Sequence, residues 1–113
     1  MSDDQPQTEL SAVIIGCGDI AGGYDERTDR RYSLTHAGAY RRHGAFNIAA
    51  CIEPDHSRRE AFMEYWGLES GYADITSCRA ATGMNFDVAS ICTPTEFHAG
   101  CVIELADDPV RLV

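Results

Sequence analysis

The sequence predicts an α/β fold: a doubly wound parallel sheet of about five strands with helices on both faces. Three observations carry that expectation. Short apolar, β-branched runs alternate with helix-length amphipathic segments along the whole chain. The first run, Val13-Ile14-Ile15, stops at a glycine pair, Gly16 and Gly18, with the small residue Ala21 three positions later. The run Phe86 to Cys92 is apolar enough to be buried on both faces, as an interior parallel strand is.

The elements follow in order. Strand one covers 11–15. Residues 24–33 are polar and densely charged and read as a loop. Ser33 can cap a helix running to about His43, with Leu34, Ala37 and Tyr40 on one face and Gly44 as its stop. Phe46 to Ile52 is the second strand. Ser57-Arg-Arg-Glu60 has capping-box spacing and opens a helix that turns Ala61, Phe62, Tyr65 and Trp66 inward and ends at Gly67. A short third strand at 71–73 and a brief helical turn from Ser77 to Thr82 precede the fourth strand. Thr95 caps the last helix, with Ala99, Val102, Ile103 and Ala106 at core spacing. A fifth strand starts at Val110 and the chain ends on it, at Val113. Since that leaves one sheet face poorly covered, the expectation is a single domain, 1–113, that forms the N-terminal part of a longer protein.

Bulk properties exclude several function classes. The chain has 113 residues and a net charge of −9, which disfavours nucleic acid and anionic membrane surfaces as partners. No apolar run reaches transmembrane length, and the acidic start, Met1 to Glu9, is unlike a secretory signal, so the expected location is cytoplasmic. All nine basic residues are arginine, so no lysine of this chain performs acid–base or Schiff-base chemistry. The five cysteines, at 17, 51, 78, 92 and 101, are odd in number and lack C-x-x-C spacing, and neither a disulfide framework nor a metal site is expected.

The glycine turn matches the G-x-G-x-x-G/A fingerprint of dinucleotide sites. The first glycine permits a tight turn, the second lets backbone approach a pyrophosphate, and the small third residue lets a helix pack closely. Backbone N–H groups and the helix dipole then face an anion. Glu53 ends strand two, where an acidic residue accepts hydrogen bonds from ribose hydroxyls and repels a 2′-phosphate. It lies 37 positions after Gly16 rather than the usual ~20, an excess that the charged loop at 24–33 largely explains. At the end of strand four, Cys92-Thr-Pro-Thr-Glu-Phe-His98 lies beside strand one, at the crevice where doubly wound sheets bind ligands. Pro94 imposes an extended turn, the threonine hydroxyls can face a cofactor, and His98 falls in the first turn of the last helix.

Four segments together resemble the N-terminal domain of the glucose–fructose oxidoreductase / inositol dehydrogenase (Gfo/Idh/MocA) family. They are the Val13-to-Ala21 start, Thr35-His-Ala-Gly-Ala-Tyr40, Ala50-Cys-Ile-Glu-Pro-Asp55 and Asp87-Val-Ala-Ser-Ile-Cys-Thr-Pro-Thr-Glu-Phe-His98. The resemblance implies a Rossmann domain that binds NAD(H) or NADP(H), followed by a substrate domain, and hydride transfer at a secondary alcohol of a sugar or polyol. By position, Gly16, Cys17, Gly18, Asp19, Ile20 and Ala21 would cradle the pyrophosphate and Glu53 would hold the ribose. Thr93, Pro94, Thr95 and His98 would line the nicotinamide side. Two departures stand out: the chain ends before the family's Glu-Lys-Pro motif, with its active-site lysine, and it carries the extra charged segment at 24–33.

The expected cofactor is NAD rather than NADP, because Glu53 repels the extra phosphate. The expected function is the cofactor-binding half of an oxidoreductase, inactive alone, whose sugar or polyol substrate is met only in a full-length protein. A non-catalytic nucleotide-binding or redox-sensing module, working as a small homo-oligomer, is the main alternative. An S-adenosylmethionine-dependent methyltransferase is a further one.

Overall fold

The computed structural model describes residues 9–26 and 35–113. Its five strands are β1 (Leu10–Ile15), β2 (Phe46–Ile52), β3 (Gly71–Tyr72), β4 (Val88–Ile91) and β5 (Arg111–Leu112). All pair in parallel, in the order β3-β2-β1-β4-β5. The chain thus winds outward from β1 in one direction, then returns to build the other half from β4. The switch point falls between β1 and β4.

Alternation along β1 sorts the core into two layers. Val13 and Ile15 face a cluster with Ala50, Ile52, Ala89, Met84 and Leu105. Ile14 faces the other side, with Cys51, Ala37, Phe62 and Trp66. A register shift opposite Ala12 and Val13 skips Ala49 in the ladder. Ile48 and Cys51, of opposite parity, consequently share one face, whereas Ala50 and Ile52 share the other. Helices therefore cover both sides of the sheet, as the doubly wound expectation requires.

The helices are α1 (Tyr24–Glu26), α2 (His36–His43), α3 (His56–Trp66), α4 (Ile75–Thr82) and α5 (His98–Glu104). A π-helical turn, Asp19–Gly23, leads into α1. Residues 24–26 are therefore helical where a loop is expected; 27–33 lie outside the described residues. Helix α2 begins at His36, capped by Thr35, whose Oγ1 accepts the Gly38 N–H at 3.0 Å. Its expected cap Ser33 and face residue Leu34 lie outside the described residues.

Asp55, not Ser57, caps α3: its Oδ1 accepts the Arg58 N–H at 2.8 Å, placing Ser57 inside the first turn. A carboxylate in the turn after β2 caps the helix two residues before the serine would. Only Phe62 and Trp66, one turn apart, are buried on α3, and Ala61 and Tyr65 are exposed. Asp74 caps α4 and starts it two residues before Ser77, so that Ile75 and Cys78 reach the core.

Strand β4 is shorter than Phe86 to Cys92, although both ends are buried. The last helix differs most. Thr95 makes no side-chain cap; Thr95–Phe97 form a 3-10 turn, and α5 follows from His98. Its expected core positions, Ala99, Val102, Ile103 and Ala106, are exposed, and Leu105 and the half-buried Cys101 supply the contact instead. The 3-10 turn rotates the helix relative to the face that α-periodicity from Thr95 implies.

Candidate functional site

Gly16 turns the chain at the end of β1 with φ +93°, a left-handed conformation that costs glycine nothing. A Cβ there would lie 2.9 Å from the Cys92 carbonyl carbon and oxygen and the Thr93 nitrogen. The absence of a side chain thus lets the β1 and β4 turns meet at the switch point. Gly18 faces open space, with nothing within 4 Å of where its Cβ would be. The next N–H groups open the Asp19–Gly23 turn, and the first N–H groups of a helix have no partner within it. Gly22 closes the back of the turn: a Cβ would come within 2.4 Å of Trp66 Nε1 and 2.8 Å of Phe62. Trp66 Nε1 donates instead to Glu26 Oε2 at 3.0 Å, tying α3 to α1.

Glu53 is 5% exposed. Its Oε1 accepts the Cys17 N–H and its Oε2 accepts the Asp55 N–H, both at 3.0 Å. The Arg58 guanidinium stands 3.8 Å from Oε2. The buried carboxylate thus joins the glycine turn after β1 to the turn after β2, and its charge is met by two backbone donors and an exposed cation.

On the β4 side, His98 Nε2 lies 2.6 Å from the Thr93 carbonyl oxygen. A carbonyl only accepts, so this nitrogen carries the proton and donates. The bond folds the Thr93-Pro94-Thr95 turn back against α5. Thr93 Oγ1 is buried and has no hydrogen-bond partner.

Between these parts, at the carboxyl ends of β1, β2 and β4, lies a cleft of about 810 Å³. Gly16, Cys17, Gly18, Asp19, Ile20, Glu53, Thr93, Pro94, Thr95 and His98 all line it. Ala21 does not; it is fully buried in the layer beneath. Two basic lining residues escape the sequence reading. Arg58 reaches the cleft from the first turn of α3, and His36 from the start of α2. His36 is far from the glycines in sequence, and only the packing of α2 on the Asp19–Gly23 turn brings it there. Burial lowers the His36 pKa from its ordinary 6.5. Burial also pushes the Cys92 thiol up to about 12, and contact with Cys51 together with burial raises that of Cys17. Both thiols stay protonated at neutral pH and are poor nucleophiles. Among the described residues no cluster of three or more His, Cys, Asp or Glu could hold a metal ion.

The cleft fits a dinucleotide. It offers an uncrowded glycine turn backed by helix N–H groups, an acidic residue at the end of the second strand and an unpaired hydroxyl on the fourth. A family model described as "Oxidoreductase family, NAD-binding Rossmann fold" (GFO_IDH_MocA) matches residues 10–112. The chain belongs to this family. Solved structures of Gfo/Idh/MocA-type enzymes share its fold. An oxidoreductase from Agrobacterium radiobacter, in complex with NAD+, L-tartaric acid and magnesium, is 26% identical at a TM-score of 0.71 over 93% of the chain. The WlbA dehydrogenase from Chromobacterium violaceum, in complex with NADH and UDP-GlcNAcA, is 22% identical at a TM-score of 0.75 over 96%. A myo-inositol 2-dehydrogenase from Lactobacillus plantarum is 20% identical at a TM-score of 0.65 over 92%. The chain spans 27% of the length of each of these three. No curated protein matches it. Among the described residues no helix is long and apolar enough to cross a membrane.

Proposed function

We propose that this chain supplies the cofactor-holding half of an NAD-dependent oxidoreductase acting on a secondary alcohol of a sugar or polyol. The observation that carries the reading is the bridge from Glu53 to the Cys17 N–H, which sets a ribose-binding carboxylate beside an open glycine turn. In this reading Gly18 and the start of the Asp19–Gly23 turn hold the pyrophosphate by backbone N–H groups, and Ala21 keeps the turn tight from beneath. Glu53 accepts the ribose hydroxyls. Thr93 Oγ1, buried and unpaired, donates to the nicotinamide half, and His98 positions that turn through the Thr93 carbonyl.

A nicotinamide held there would supply a hydride acceptor. The residues of this chain hold it, orient it and exclude water from one side; no lysine is available for proton transfer. The chain alone is therefore expected to bind NAD(H) and turn over no polyol.

Thermal melting of the chain with NAD+, NADP+ or S-adenosylmethionine tests the reading. A midpoint rise with NAD+ supports it. A rise with S-adenosylmethionine alone overturns it, and polyol oxidation by the isolated chain overturns the expected inactivity.

A further inference from the structure

The cleft contains one imidazole that nothing in the fold uses. His98 is committed to the Thr93 carbonyl. His36, half-buried at the first position of α2, lines the same cleft, and its ring has no hydrogen-bond partner among the described residues. Helix α2 packs against the Asp19–Gly23 turn that follows the glycine pair, so His36 enters on the side where phosphates would lie. Arg58, the lone arginine of the cleft lining, is drawn toward Glu53 at the far end. The glycine turn therefore has backbone dipoles but no fixed cation beside it among the described residues.

Resting on the reading that this cleft holds a dinucleotide, we propose that His36 is the anion's proton-linked partner: neutral in the empty cleft, it takes up a proton when the pyrophosphate arrives and pairs with it. Two features keep the empty-state ring neutral, partial burial and its place at the positive end of α2. An incoming anion opposes both and raises the pKa. The titratable groups on the neighbouring elements are Asp19 on the turn, Tyr24, Asp25 and Glu26 on α1, which packs on that turn, Tyr40 on α2, and Glu53, Arg58, His98, Cys17 and Cys92 about the cleft; Asp25 accepts the N–H of Thr35, next to His36. Histidine is the side chain that ordinarily changes charge between about pH 5 and 8, so His36 and His98 are the pair to distinguish. His98 Nε2 is already held by the Thr93 carbonyl.

Titration calorimetry of NAD+ into the chain, in two buffers of different ionisation enthalpy near pH ~6.5, counts the protons taken up on binding. We expect net uptake of a fraction of a proton in the wild type and in His98→Gln, and none in His36→Gln. Affinity should tighten about twofold to threefold from pH 8 to pH 6, because binding raises the His36 pKa toward that range, and His36→Gln should flatten that slope. NAD+ binding without proton uptake, or uptake lost in His98→Gln and kept in His36→Gln, overturns the proposal while leaving the dinucleotide reading standing. No NAD+ binding at any pH defeats the dinucleotide reading itself.

Discussion

The carboxylate of Glu53 accepts the backbone N–H of Cys17 at 3.0 Å, across the gap between the second and first strands. Since its other oxygen takes the Asp55 N–H, the side chain that would recognise a ribose also fastens the turn that would cradle its phosphates. Binding and architecture are thereby coupled at one residue.

Glu53→Ala should for this reason cost stability as well as affinity. Two backbone donors lose their acceptor: the buried Cys17 N–H, a loss of about 1–3 kcal/mol when left unsatisfied, and the part-buried Asp55 N–H, which water can reach. Chemical denaturation of the variant should show the drop. An unchanged midpoint would mean that water or a shifted turn replaces the carboxylate.

Cofactor choice is a separate test at the same position. The wild type should prefer NAD over NADP by about tenfold or more, through repulsion of the 2′-phosphate. Arg58, 3.8 Å from Glu53, moderates that repulsion. Glu53→Ser should narrow the ratio measured by titration, and an unaltered ratio would remove Glu53 from the specificity determinants.

Gly16→Ala should be strongly destabilising. It combines a φ of +93° with a Cβ 2.9 Å from three backbone atoms of the neighbouring turn. Backbone cannot move aside as a side-chain tip can, so the loss should exceed about 1 kcal/mol in a denaturant melt. Gly22→Ala meets side-chain atoms instead, Trp66 Nε1 among them. It should fold with a smaller penalty and a displaced indole, visible as a change in the fluorescence of Trp66, the single tryptophan.

The unliganded fold should weaken in mild acid. Burial lowers the His36 pKa below its ordinary 6.5, so the unfolded chain binds that proton first. The contribution is complete above about pH 6.5 and is lost as pH falls through the lower folded value. His36→Gln should remove this component from a plot of melting midpoint against pH.

Many of the chemistry-bearing residues were legible because their signals are local. A β-branched run ending in Gly16 and Gly18, an acid closing the next strand and a Thr-Pro-Thr turn each declare themselves within a few positions. Helix starts were less legible. Asp55 and Asp74 accept the Arg58 and Ser77 N–H groups and start each helix ahead of Ser57 and Ser77, where the sequence reading places the starts. Gly22 left no such trace, because a glycine needed for a distant Trp66 has nothing in its own neighbourhood to mark it; His36 sits in the Thr35-to-Tyr40 segment, but nothing local shows that α2 carries its ring to the cleft.

By itself, then, the sequence determined the parallel α/β sheet, the two-sided burial of its central strands and the glycine turn, because side-chain periodicity and backbone freedom are properties of neighbouring residues. Only the tertiary structure decided that Glu53 closes onto Cys17, that α5 leaves Val102 and Ile103 exposed, and that His36 stands at the cleft. Those outcomes depend on how helices seat on the sheet, and seating is set by contacts between residues tens of positions apart.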